Sequence, residues 1–364
     1  MRPTRNLYAF LLLCTLGLLP LLLLLNTMRG NTPSSSALNE SVGDDEPVVA
    51  FTHDNLPSQS VGNLRIITLD QVKNRWKRLC ENACSQNGFC LLGKCFCKPG
   101  FDGADCSQRW SVPPKQCIPG RTDTCFYHPA YGVAQVSMER WKYSQSFEQD
   151  IWATRDTDND RNEGHANSFD NYRILPDNLG KLIEIGGGPF TQTKTILEKR
   201  KPQVESITIL EPNVVHYVKT VKHCTYAKDG TIDGYKTILI NGAAEDVSFY
   251  EHFDTLVMIN VIEHVFDAFK ILEQTYDMIK PGGIIVWHER LWDNYRGEID
   301  NLREFQLHPI RLNRHFANFF MSKFETLYMI DQKDSRELQR LANEGVYFIG
   351  RKPLVDKAMK KLMD

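Results

Sequence analysis

Three histidines stand at the ends of apolar runs. His264 follows Ile259-Asn260-Val261-Ile262-Glu263, His288 follows Ile284-Ile285-Val286-Trp287, and His308 lies in Leu307-His308-Pro309. An imidazole titrates nearest neutral pH, so each is a candidate base for drawing a proton from a hydroxyl. Upstream, Leu182-Ile183-Glu184-Ile185-Gly186-Gly187-Gly188-Pro189 carries an apolar run into a glycine turn, where backbone can approach a ligand closely. Glu211 ends a second apolar run 23 residues after Gly188, a place from which a carboxylate can accept both hydroxyls of a ribose. The glycine turn alone would suit a dinucleotide equally. A separate chemistry is announced by cysteine. Eight of the ten (Cys80, Cys84, Cys90, Cys95, Cys97, Cys106, Cys117 and Cys125) fall within residues 80–125, a density that means disulfides or metal.

The elements that must hold these groups can be read from periodicity. Short apolar runs at 181–185, 206–210, 237–240, 255–259 and 284–287 read as buried strands. The stretches 191–201, 214–222 and 268–279 read as intervening helices. Alternation of this kind predicts an α/β fold, a parallel sheet covered by helices on both faces. Ligands of such sheets sit at the carboxyl ends of the strands, where the glycine turn, Glu211, Asn260 and His264 fall.

Two further segments sharpen this. Phe253-Asp254-Thr255-Leu256-Val257-Met258-Ile259-Asn260-Val261-Ile262-Glu263-His264 resembles the fourth-strand motif of class I S-adenosylmethionine-dependent methyltransferases (type 11-like), and Lys280-Pro281-Gly282-Gly283 resembles their turn before strand five. The resemblance covers 138–352 and implies a seven-stranded Rossmann-like sheet of order 3-2-1-4-5-7-6, with 324–329 and 346–351 as antiparallel strands six and seven. It further implies S-adenosylmethionine as cofactor. Gly186 and Gly188 would line its methionine and ribose, Glu184 would fix the loop, Glu211 would hold the ribose and Asn260 would face the sulfonium. The loop Gly242-Ala243-Ala244-Glu245-Asp246 would meet adenine through the backbone of Ala244 or the acid of Glu245. Phe190 departs from the fuller glycine pattern. The favoured bases are His264 and His288, with an orienting role for His264 as the alternative. Residues 138–175, rich in aromatic and polar side chains, stand where the family places a lid.

The cysteine spacing C-x3-C-x5-C-x4-C-x-C-x8-C, closing on Cys97-Lys98-Pro99-Gly100-Phe101-Asp102-Gly103-Ala104-Asp105-Cys106, resembles an EGF-like module. Spacing alone leaves 15 connectivities for six cysteines. The resemblance implies Cys80–Cys90, Cys84–Cys95 and Cys97–Cys106, a further Cys117–Cys125 bridge is expected, and Cys224 is left unpaired and buried. Residues 80–106 contain no histidine, and the stretch 74–79 just before Cys80 contains no acidic residue, which argues against zinc and calcium. Asp156, Asp158 and Asp160 begin like an EF-hand, but Arg161 occupies its required glycine position. No metal is expected. The module is either a rigid spacer or the site of a protein partner.

The 364 residues, with 42% hydrophobic content and a formal charge of -2, exclude wholesale disorder and lack the basic face of a nucleic-acid binder. The uncharged run 7–25, nineteen residues long and preceded by Arg2 and Arg5, is long enough to span a membrane and lacks a small-residue cleavage pattern. The expected organisation is a cytoplasmic tail (1–6), a transmembrane signal-anchor (7–25), a flexible stem (26–75) with a glycosylation sequon at Asn39, the EGF-like module (76–110), a linker (111–137), the methyltransferase domain (138–352) and a basic tail (353–364). Such a type II protein, with its disulfides in an oxidising lumen, is built like a Golgi (or ER) glycan-modifying enzyme. The expected reaction is O-methylation of a sugar hydroxyl on a glycoprotein or glycolipid. A small-molecule or protein-carboxyl acceptor, an inactive fold serving the EGF-like module, and a secreted form are the alternatives.

Overall fold

A computed structural model describes residues 48–50, 79–116, 123–226, 230–297, 301–332 and 344–354. The apolar run 7–25, Asn39, the rest of the stem, Cys117 and the tail beyond residue 354 lie outside the described residues. Among the described residues no helix is long and apolar enough to cross a membrane.

In chain order the strands are β1 (Val48–Ala50), β2 (Gly88–Leu91), β3 (Lys94–Cys97), β4 (Phe101–Asp102), β5 (Gln108–Arg109), β6 (Tyr127–His128), β7 (Gly132–Val133), β8 (Asn178–Ile185), β9 (Gln203–Glu211), β10 (Thr231–Ile232), β11 (Tyr235–Asn241), β12 (Phe253–Ile259), β13 (Ile279–Leu291), β14 (Arg311–Leu312), β15 (Glu325–Gln332) and β16 (Glu344–Arg351). The α-helices are α1 (Met138–Thr154), α2 (Asn162–Ser168), α3 (Gln192–Arg200), α4 (Val214–Thr220), α5 (Ala268–Met278), α6 (Leu302–Leu307) and α7 (Arg314–Met321).

The main sheet runs β1-β11-β9-β8-β12-β13-β16-β15, parallel from β1 through β13 and antiparallel in its last two pairings. Without β1 and β10, that order is the expected 3-2-1-4-5-7-6. Among the described residues the sheet has nine strands rather than seven. One addition is β10, folded onto β11 through Asp233-Gly234, both with positive φ, the chemistry of a tight hairpin turn. The other is β1, Val48-Val49-Ala50 from within the expected stem, which pairs with the edge of β11.

Burial alternates along the central strands. Leu256 and Met258 of β12 face one core with Ile285 and Trp287 of β13, while Val257, Ile284 and Val286 face the other. Helices α5 and α7 cover the first face through Ile271, Leu272, Phe316 and Phe320, and α3 and α4 cover the second through Ile196, Leu197, Val214 and Tyr217. That two-sided burial is why these strands read as continuous apolar runs.

The cysteine-rich module carries Cys80–Cys90, Cys84–Cys95 and Cys97–Cys106. Cys125 is also disulfide-bonded, and Cys224 is a buried free thiol. The module is no mere spacer: Leu91, Leu92 and Phe96 belong to the same core as α5 and α7. Phe96 packs on Phe269 and Phe316, Phe89 stacks on Phe269 at 4.6 Å, and the Tyr131 hydroxyl donates to the Cys97 carbonyl at 2.6 Å. The expected linker is likewise built in. Its hairpin β6–β7 pairs with β14, and at Gly132 (φ 91°) a Cβ would stand 2.1 Å from the Arg311 carbonyl oxygen.

Candidate active site

At the carboxyl ends of β8, β9 and β12 lies a cavity of about 680 Å³, roofed by α1 and the segment leading into α2. Its floor begins with the glycine turn. Gly186 (φ 65°) has Val261 where a Cβ would point, at 2.7 Å, so only glycine fits there. A Cβ at Gly188 would meet nothing within 4 Å, so the space beside it is open, while its N–H and carbonyl are engaged by Glu211 and Tyr226.

Buried carboxylates hold this floor by accepting backbone amides. Glu184 accepts from Gln192 N (2.8 Å) and Thr193 N (2.9 Å), capping α3, whose own N-cap residue Thr191 makes no side-chain bond. Glu211 accepts from Gly188 N at 3.2 Å and Asn213 N at 2.8 Å, tying the end of β9 to the turn. Glu289, on β13, accepts from Val261 N and Ile262 N, both at 2.8 Å, and so fixes the start of the loop after β12. Burial pushes Glu184 and Glu211 up to about 7, and burial together with Glu263 pushes Glu289 up to about 8. Glu245 does similar work. Its Oε1 accepts from Phe266 N and Asp267 N, which ties it to the loop before α5, and it lines that end of the cavity with Ala243 and Ala244. Asn260 sits at φ 61° with its amide donating to the His288 carbonyl. Its side-chain Oδ1 is buried without a partner, and the residue lines the cavity.

The three histidines part company. His288 does not line the cavity: it is 5% exposed, its Nδ1 lies 2.9 Å from the Val346 carbonyl and its ring stacks on Tyr347 at 4.0 Å. Burial and neighbouring His165 push it down to about 3, so it is a neutral core histidine and not the expected base. The cause is strand alternation, which turns residue 288 into the sheet. His264 and His308 do line the cavity. His264 Nδ1 is 3.1 Å from Glu148 Oε1 and its Nε2 is 3.6 Å from Glu263 Oε1. Burial would depress it, but those two carboxylates outweigh burial and push it up to about 9, so it rests as an imidazolium. That charge state suits orientation better than proton abstraction. His308 is pushed down to about 4 by burial, with Nδ1 at 2.7 Å from Glu304 Oε2.

Around them stand residues that the sequence did not single out. Glu148 comes from α1, and its carboxyl is raised by burial. Arg290, from β13, places Nε 2.9 and 2.7 Å from the two oxygens of Glu263. The α1 roof is pinned by Trp141 Nε1 and Gln145 Nε2, both donating to the His264 carbonyl at 2.9 Å, and by Gln145 Oε1 accepting from Asn213 Nδ2. A charged residue within the apolar run of β13 was a signal for Glu289 and Arg290. Glu148 gave none, because α1 is polar over most of its length and only packing selects the side chain that turns inward.

Residues 193–287 match the family described as methyltransferase domain, and residues 80–109 match the one described as teneurin-like EGF domain. Teneurin-m of Drosophila melanogaster is 66% identical over 29 residues, 8% of this chain and 1% of that protein's length. Similar solved structures include the N-methyltransferase NodS of Bradyrhizobium japonicum in complex with S-adenosyl-L-homocysteine (16% identity, TM-score 0.41, 58% of this chain and 98% of that one). The [4+2]-cyclase SpnF is another (13% identity, TM-score 0.45, 62% and 99%), as is a putative sarcosine dimethylglycine methyltransferase from Galdieria sulphuraria (15% identity, TM-score 0.39, 53% and 85%). The family match over residues 193–287 defines the class: the chain carries a methyltransferase domain. For the S-adenosylmethionine that the sequence resemblance implies, the open space beside Gly188, the Glu211 carboxylate and the unpartnered Asn260 oxygen are the groups that would fit.

Proposed function

We propose that the chain O-methylates a sugar hydroxyl of a glycoprotein or glycolipid, as a type II membrane protein with its catalytic domain in the Golgi or ER lumen. The carrying observation is that one cavity joins donor-type features to an end lined by Trp141, Glu148, His264, Glu304 and His308. Aromatic faces beside hydrogen-bonding carboxylates suit a polyhydroxylated ring. When bound, S-adenosylmethionine supplies an electrophilic methyl carbon on a positively charged sulfur. The chain's part is to align the acceptor hydroxyl and take its proton. Glu148 is the receiver we assign, because its carboxyl lines the cavity beside His264, which its carboxylate neighbours keep protonated. The luminal placement rests on the apolar run 7–25 and on disulfides that need an oxidising compartment.

A binding role carried by the EGF-like module alone is disfavoured, because its apolar face is already buried against α5 and α7. The test is to incubate the full-length, detergent-solubilised chain with labelled donor and separate panels of glycans, protein carboxylates and small hydroxylated molecules. Label in the glycan panel, lost in Glu148→Gln, is the expected result. Label confined to another panel would overturn the acceptor assignment.

A further inference from the structure

Two imidazoles at the acceptor end of the cavity share one arrangement. Each turns Nδ1 toward a carboxylate: His264 toward Glu148 at 3.1 Å, and His308 toward Glu304 at 2.7 Å. Each turns Nε2 toward the same atom, Glu263 Oε1, at 3.6 Å in both cases. One ligand atom from each of Glu263, His264 and His308 lies within 4.8 Å of the other two. At His308 this is the disposition in which a metal-binding histidine is oriented by a carboxylate hydrogen-bonded behind it, while at His264 the carboxylate of Glu148 stands at ion-pair distance without a hydrogen bond. Bonds of about 2.1 Å to one ion would set tetrahedral ligand atoms about 3.4 Å apart, close to the two 3.6 Å separations.

The geometry points to a divalent transition-metal site formed by Glu263, His264 and His308, with Glu304 holding the His308 ring and Glu148 lying beside the His264 ring. Two imidazoles and one carboxylate suit Zn²⁺ or Mn²⁺ and leave coordination positions open toward the cavity. Arg290 stands where positive charge is needed without a metal: it pairs with Glu263, and its Nη2 lies 2.8 Å from His308 Nε2. An ion entering the site has to displace the guanidinium both from His308 and from Glu263 Oε1, leaving Arg290 on the second oxygen of Glu263. Resting on the O-methylation proposed above, the open positions would take the acceptor hydroxyl and lower its pKa, so that Glu148 has less basicity to supply.

The metal alone is the probe. The full-length chain, treated with chelator and dialysed, is titrated with Zn²⁺ and with Mn²⁺ by calorimetry and, for Mn²⁺, by electron paramagnetic resonance. One equivalent should bind. His264→Gln and His308→Gln should each weaken binding at least tenfold, and Glu304→Gln by about 10–100-fold through the orienting carboxylate. Arg290→Met should tighten it, because the competing cation is gone. S-adenosylhomocysteine affinity, measured on every variant, reports that the fold survives. Failure of both metals to bind at millimolar concentration, or binding indifferent to His264→Gln and His308→Gln with the nucleoside affinity intact, would overturn the site. Metal binding without glycan methylation would leave the site standing and remove the glycan acceptor, so the two proposals fail separately.

Discussion

Glu211 shows how one side chain can be both scaffold and ligand. Its two oxygens hold Gly188 N and Asn213 N, yet a carboxylate has lone pairs to spare for hydroxyls. Glu211→Ala should weaken S-adenosylhomocysteine binding by about 10–100-fold, the worth of one or two bonds to a charged group, as read by calorimetry. His288 supplies a test of the opposite kind. Folded, it stays neutral down to about pH 3, whereas in the unfolded chain it takes up a proton near 6.5, so the unfolded state binds more protons between those values. Stability from this group is therefore full above the unfolded value and lost as pH falls below it, on the order of 2 kcal/mol between pH 7 and 5. His288→Gln should remove that part of the acid loss in denaturant unfolding at the two pH values, and an unchanged loss would show the ring protonates in place. Cys224 is a third case. Burial pushes its thiol up to about 11, so native protein at pH 8 should react with a thiol reagent far more slowly than denatured protein.

At the scale of elements, loops are fixed to strands by buried acids rather than by turn chemistry alone. Glu184 replaces the missing side-chain cap of α3, and Glu289 holds the first amides of the loop that carries His264. The opposite end of α5 is closed by Lys352, whose Nζ donates to the Tyr276 and Ile279 carbonyls at 2.9 and 2.7 Å. The hairpin β6–β7 depends on a close backbone approach instead. Gly132→Ala would drive a methyl group into the Arg311 carbonyl at a positive φ, so we expect a loss of about 1–3 kcal/mol, read as a fall in Tm, from the strained backbone alone. Because β14 also carries Arg311, which reaches Asp123 at 3.4 Å alongside Arg140 at 3.3 Å, that loss should be accompanied by loosening of α1 over the cavity.

For the whole molecule, the small disulfide module and the large sheet are one folding unit. Phe96, 4% exposed, lies in the core of the methyltransferase domain, although it is encoded between two cysteines of the module. Phe96→Ala should cost about 3–5 kcal/mol and lower the single melting transition of the two together. Reduction of the three disulfides, whose closed loops span 9 to 11 residues, should likewise lower the Tm of the domain, since its α5–α7 face would lose its cover. Two separate transitions, with the domain's own unmoved by reductant, would contradict this coupling.

Local chemistry was legible along the chain wherever a residue's neighbours in sequence are also its neighbours in space. The parallel strands announced themselves as apolar runs because both their faces are buried, and the glycine turn because only glycine fits against Val261. The resemblance carried the strand order. What the sequence could not decide was which side of an element faces the cavity. His264 and His288 look alike on paper, yet strand alternation buries one against Tyr347 and loop geometry delivers the other to Glu148. Glu148, Glu263 and the Glu304–His308 pair come from three different segments and meet only through packing. The shared core of the module was hidden for the same reason: its aromatic side chains find their partners more than a hundred residues away, a separation no local pattern records.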